Sequence, residues 1–221
     1  MTVQPSGQTQ EFLVVGGAGR TGRRVVERLL ARGHRVTVAS RRPGRVPAGA
    51  TAVRLDLAGG IDPELLEGSA GAVVSVEPPS DAGGADALLH RGVGALADAA
   101  AKAGVPVVLV SSIYSTRVDE HPQYAGIIRA RAAGEEAVQR SGAAYTIVRP
   151  GWLGNGPAGG VRVEQGDTGD GSTSRDAVAD AVVAALFDPA ARGKTFELYD
   201  DAGAPPADWG AVFPGLAADG G

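Results

Sequence analysis

The run Phe12–Leu13–Val14–Val15–Gly16–Gly17–Ala18–Gly19–Arg20–Thr21–Gly22 decides the fold. Four apolar residues without alternation read as a strand buried on both faces, as parallel strands are. The strand stops at Gly16. Over residues 20–32, Val25, Val26, Leu29 and Leu30 then recur at helical spacing until Gly33 closes the helix. Between strand and helix, Gly16, Gly19 and Gly22 fall in a GxxGxxG spacing. Gly16 permits the tight turn, Gly19 lets a pyrophosphate approach the backbone, and Gly22 lets the helix pack closely on the strand. The first-turn amides and the positive end of the helix dipole then face the phosphates. Gly16, Gly17, Gly19, Arg20, Thr21 and Gly22 are therefore expected to hold a dinucleotide. A purely structural turn is the competing reading in a chain with 34 glycines, but the strand–turn–helix context favours the site.

Working outward, further strands are predicted at residues 36–39, 52–55, 72–76, 105–110, 144–148 and 195–199. Helical stretches are predicted at 63–67, 85–103, 124–140 and 175–187. Repeated βα units with short connections imply a doubly wound parallel α/β sheet, a Rossmann fold, because right-handed crossovers permit little else. No linker separates two cores. A single domain over residues 11–200 is expected, with a tail over 201–221 packing on it through Trp209, Val212, Phe213 and Leu216. A small C-terminal substrate lobe follows the sixth strand. Trp152 and Leu153 could form its apolar wall, and the glycine-rich residues 154–171 a lid.

Composition removes several function classes. The chain of 221 residues has a net charge of −4 and no run of Lys or Arg, so no nucleic-acid partner is expected. It has no cysteine, which excludes disulfides and thiolate metal sites, and its three histidines are too scattered for metal-ligand spacing. No apolar run approaches membrane-spanning length, and residues 1–10 lack the layout of a signal peptide. A cytoplasmic protein with a small-molecule substrate, no membrane partner and no metal is expected, either monomer or homodimer.

The second strand bears on the choice of cofactor. An NAD site usually carries an acid about 20 residues beyond the glycine turn, to hold the ribose 2′-hydroxyl. Residues 33–47 contain none, and the strand ends in Ser40–Arg41–Arg42. Guanidinium forks would grip a 2′-phosphate that a carboxylate would repel, so NADP(H) is expected, held by Arg41 and Arg42. Two arginines facing water is the bland alternative. Asp56 is placed to accept from the adenine amine, with Leu57 beside it and Val76 counted among the cofactor contacts. An exposed loop aspartate is the competing reading for Asp56.

These residues resemble the atypical short-chain dehydrogenase/reductase superfamily, in particular its compact NmrA-like and flavin/biliverdin reductase-like members. The resemblance covers roughly residues 11–200. It rests on Gly16 to Gly22, Val108–Leu109–Val110–Ser111–Ser112, Tyr145–Thr146–Ile147–Val148–Arg149–Pro150–Gly151, Ser174–Arg175–Asp176–Ala177–Val178–Ala179 and Gly193–Lys194–Thr195–Phe196–Glu197–Leu198. It implies a nicotinamide near Ser111, Ser112 and the turn containing Pro150, Gly151 and Leu153. Many members carry Tyr and Lys at i and i+4, where the cation lowers the phenol pKa. That pair is missing: Ile128 follows Tyr124 and Val118 follows Tyr114. Arg131 stands where compact members often have a lysine. It could hold the nicotinamide ribose but not relay a proton, and an ion pair with Glu135 one turn on is its plain alternative. Ser112, Tyr124 and Ser111 are the leading catalytic candidates, with Tyr114, His121 and Glu77 behind them. The resemblance implies an NADPH-dependent reductase of a small carbonyl, quinone or flavin-like compound. A non-catalytic NADP(H)-sensing regulator and a dehydratase, epimerase or isomerase remain the alternatives.

Overall fold

In the computed structural model, which describes residues 8–220, the first five strands are β1 (Glu11–Val15), β2 (Arg35–Ser40), β3 (Thr51–Arg54), β4 (Ser69–Val74) and β5 (Val107–Val110). They are followed by β6 (Tyr145–Pro150), β7 (Trp152–Gly154), β8 (Val161–Glu164), β9 (Ser172–Ser174) and β10 (Lys194–Asp200). Eight of them form one sheet in the order β3-β2-β1-β4-β5-β6-β10-β8, every pairing parallel except β8 against β10. The chain is thus a doubly wound α/β fold. Its order reverses between β1 and β4, the kind of crevice where open α/β sheets take their ligands.

Alternation along β1 sends Phe12 and Val14 to one core and Leu13 and Val15 to the other. Helices α1 (Arg20–Ala31) and α5 (Arg175–Phe187) cover the first face. On the second lie α2 (Ala82–Ala85), a π-helical segment Asp86–Gly92 and α3 (Val93–Ala103), run together, and beside them α4 (Ala125–Arg140). The π segment departs from the uninterrupted α-helix that the Ala/Leu periodicity predicts. It brings Leu88 to the crevice and lets the Gly134 backbone of α4 approach the Leu89 carbonyl.

Residues 154–171 do not form the free flap expected of a lid. Strand β8 completes the sheet edge, Asp167 is fully buried, and Gly171 packs on the Tyr199 ring. Strands β7 and β9 pair with each other in a small second sheet. In the tail, α6 (Trp209–Gly215) buries Phe213 against Phe196, ring centroids 6.0 Å apart. Asp219 accepts from Thr195 Oγ1 at 2.6 Å and Tyr145 Oη at 3.0 Å. Among the described residues no helix is long and apolar enough to cross a membrane.

Candidate functional site

A cleft of about 570 Å3 lies across the carboxyl ends of the central strands, lined by Val15 and Gly16 at the end of β1, Ala39 to Arg42 at the end of β2, Ser75 to Pro78 after β4 and Val110–Ser111 at the end of β5. Gly16 adopts φ 85°, a conformation that L side chains rarely take, and its backbone lies hard against the Ser75 carbonyl. The Gly19 N–H donates to Gly16 O at 2.9 Å. A Cβ on Gly22 would sit 2.5 Å from Gly16 O, and one on Gly17 would meet Val26 and Val38 at 2.9 Å. Gly16, Gly19, Arg20 and Thr21 line the cleft, whereas Gly17 and Gly22 stand behind it and let α1 close on β1 and β2. Helix α1 has no side-chain cap and no acid in its first turn, so its leading amides are free for an anion.

The chain carries a net negative charge, yet this cleft is strongly positive. Arg20, Arg41, Arg42, Arg45, Arg131 and Arg175 line it against only Asp56 and Glu77, leaving four positive charges in excess. Arg41 and Arg42 are exposed and make no side-chain ion pair or hydrogen bond among the described residues. Asp56 caps the short turn that follows it, accepting from Ala58 N at 3.3 Å, and Leu57 is buried in the wall beside it. Val76 lines the opposite side. Glu77 faces Arg20 at 3.6 Å across the mouth, an exposed pair that water screens and a ligand can part.

Arg175 and Arg45 are the lining arginines that the sequence leaves unassigned. Arg175 opens α5, is only 6% exposed, and has no carboxylate within ion-pair distance among the described residues. Its Nη1 donates to the carbonyls of Leu153 (3.1 Å) and Gly154 (2.9 Å) and to Asn155 Oδ1. Burial, then the neighbouring cations Arg20 and Arg24, push its pKa down against the opposing pull of Glu77. Its motif stood out in the sequence, but only the packing of α5 on α1 brings it to the cleft.

At the β5 end, Ser111 lines the cleft, and its buried Oγ has no hydrogen-bond partner among the described residues. Such an orphan is rare in a native interior and marks a place for a ligand atom or water. Arg131 lines the same wall and donates to Val110 O at 3.4 Å. The ion pair with Glu135, its plain alternative role, is not formed among the described residues. Glu135 instead receives Arg149 from β6 at 2.6 Å, and Arg149 also reaches Glu197 at 3.0 Å. Burial pushes the Arg131 pKa down, with Glu135 raising it from a distance. A deep cation without a bonded acid is left facing the cleft.

Besides Gly17 and Gly22, four expected contacts fall outside the cleft lining. Ser112 is committed to a turn, its carbonyl accepting from Ser115 Oγ at 3.1 Å. Tyr124 is the N-cap residue of α4 and 44% exposed, with its ring 6.2 Å from that of Trp152. Pro150 and Gly151 are enclosed at the end of β6, where the Gly151 N–H donates to Leu198 O (3.0 Å) and Thr173 Oγ1 (2.9 Å). Only Leu153 of that turn reaches the cleft. Tyr114 and His121 lie behind Trp152 in an aromatic group, with the Tyr114 and His121 ring centroids 4.1 Å apart. Burial and the neighbouring Asp170 push the Tyr114 pKa up, the wrong direction for an acid that must release its proton.

A sequence model of the NAD(P)H-binding family matches residues 16–189. An uncharacterised chloroplastic protein of Arabidopsis thaliana is 33% identical, with 93% of this chain and 82% of that protein covered. Among solved structures, a Bacillus halodurans protein named as a candidate NAD-dependent epimerase/dehydratase superposes with a TM-score of 0.81 at 25% identity, over 94% of this chain and 100% of that one. A short-chain dehydrogenase/reductase of Veillonella parvula, solved in complex with NADP, shares the fold with a TM-score of 0.70 at 16% identity, over 86% of this chain and 94% of that one. With the glycine turn, the switch-point cleft and its uncompensated arginines, the matched residues make one conclusion plain: the chain belongs to the NAD(P)H-binding family.

Proposed function

We propose that the protein is an NADPH-dependent reductase of a small carbonyl, quinone or flavin-like compound. The observation that carries this reading is the cleft's excess of four positive charges, set over a glycine turn and ending at an orphaned serine hydroxyl. The residues fit the cofactor. The free amides that open α1, with the Arg20 side chain, hold the pyrophosphate, while Arg41 and Arg42 hold the 2′-phosphate. Asp56, Leu57 and Val76 flank the adenosine. Arg131 holds ribose hydroxyls, Ser111 donates toward the reacting end, and Leu153 shields that end from water. When bound, the dihydronicotinamide supplies a hydride.

Among the described residues no tyrosine lines the cleft, so the protein chain takes a positioning role and the proton comes from water. Alignment alone can remove several kcal/mol of barrier. The test is NADPH oxidation, followed at 340 nm, across quinones, flavins and small carbonyls. Turnover with at least one class is expected, and Ser111→Ala should lower kcat by roughly ten- to a hundredfold while NADPH affinity changes little. Silence across the whole panel would refute the reductase. The missing Tyr–Lys pair favours a second reading, an NADP(H)-sensing regulator, which predicts nucleotide binding without turnover. Product formed with no net loss of NADPH would instead identify an epimerase, dehydratase or isomerase.

A further inference from the structure

Among the described residues, two that are not glycine have positive φ, Tyr114 (73°) and Asp167 (55°), and they are bonded to each other. Non-glycine residues in this region are strained and persist only where their surroundings hold them, commonly beside functional sites. The Asp167 carboxylate is completely buried. It accepts from Tyr114 N at 2.8 Å, Thr116 N at 2.8 Å and Thr116 Oγ1 at 2.9 Å, with Arg117 Nη2 3.6 Å away. One side chain from the segment before β9 thereby fixes the loop that follows β5.

That loop carries the aromatic group beside the cleft. The Tyr114 ring centroid lies 6.0 Å from that of Trp152 and 4.1 Å from His121, with the Arg117 guanidinium 4.7 Å from its own ring. Trp152 is 49% exposed and precedes Leu153, which lines the cleft. The backbone of β7 is therefore held from the cleft side by Arg175 at Leu153 O and braced behind by Tyr114.

We propose that Asp167 is a positioning residue for the acceptor. Its buried carboxylate locks Tyr114 in a left-handed conformation beneath Trp152 and so sets the wall against which the acceptor lies. It touches neither cofactor nor acceptor. The kinetic part of this proposal rests on the reductase reading, whereas the conformational part does not.

The test uses the full chain carrying Trp209→Phe, which leaves Trp152 as the only tryptophan. In this background Asp167→Asn keeps the shape but turns one acceptor oxygen into a donor. Trp152 emission and its quenching by iodide should change, and the acceptor KM should rise roughly tenfold, as expected when a site is misplaced by a fraction of an ångström. NADPH affinity should stay at the parent value. Asp167→Gly relieves the backbone strain yet removes the carboxylate, and the same shifts are expected. Thr116→Val removes a single bond, should shift both readouts less, and serves if Asp167→Asn does not fold. A merely structural role would lower the melting temperature and leave Trp152 emission and KM where they were, and that result overturns the proposal. If no acceptor is turned over, the reductase reading fails, and Trp152 emission alone then decides whether Asp167 sets the wall.

Discussion

Gly22 has no room for a side chain, since a Cβ would lie 2.5 Å from Gly16 O and 2.9 Å from Gly17 Cα. Gly22→Ala must push α1 away from β1 and with it the amides that open the helix. We expect NADPH affinity to fall at least about tenfold and stability by about 1–3 kcal/mol. Gly44, which has no neighbours within 4 Å and no positive φ, should tolerate alanine; titration and thermal melts on the two variants check the contrast. The glycine turn was legible because its steric requirements are local and the spacing records them. Arg131 was legible only in part. A carboxylate at i+4 suggests an ion pair, but the buried Glu135 is met instead by Arg149 with three hydrogen bonds, a contact that helix spacing cannot reveal. Ser112 and Tyr124 lie outside the cleft lining for a reason the sequence does not record. Adjacent residues of one loop differ by a turn in direction, so Ser111 meets the cleft and Ser112 does not.

Helices α1 and α5 are riveted by charge. Asp176 takes Arg28 Nη2 at 2.8 Å and Arg24 Nε at 3.2 Å, while Asp180 takes Arg28 Nε at 2.6 Å. Burial alone would raise the Asp176 pKa, but hydrogen bonds from Arg28 and Arg24 outweigh it and hold the carboxyl below its ordinary range. A depressed carboxyl contributes stability above its unfolded pKa and loses it as pH falls through the folded value. Asp176→Asn should therefore cost about 1–2 kcal/mol at pH 7, and the difference from wild type should begin to shrink below about pH 4 and be lost as pH falls through the lowered folded value. Denaturant melts at several pH values measure it, and a difference independent of pH would contradict the assignment. Helices α1, α3, α4 and α5 and the seven parallel strands of the main sheet were legible from the apolar pattern, whereas β7, β9 and α6 were not. The π segment was not, because an extra residue per turn in an Ala/Leu-rich helix leaves the apolar pattern almost unchanged. The antiparallel strand β8 has only four residues, and nothing in so short a run specifies which edge they join or in which direction.

Over the whole molecule, the fold gathers cations that the sequence scatters. A chain with a net charge of −4 places six arginines around one crevice, from α1, the segment after β2, α4 and α5. Arg41 and Arg42 could be assigned from sequence because they follow β2, next to the glycine turn in every doubly wound sheet. Arg175 could not, because its place depends on a crossover that returns the chain some 150 residues later to pack α5 beside α1, a separation of the order expected only from tertiary folding. The most direct test is to titrate the protein with NADPH and with NADH at one fixed ionic strength, for the wild type and for Arg41→Ala/Arg42→Ala. Charge-assisted bonds to the 2′-phosphate should make NADPH bind at least about tenfold more tightly, and the double variant should bring the two nucleotides close to parity. Equal or tighter binding of NADH by the wild type, with the double variant unchanged, would contradict the account.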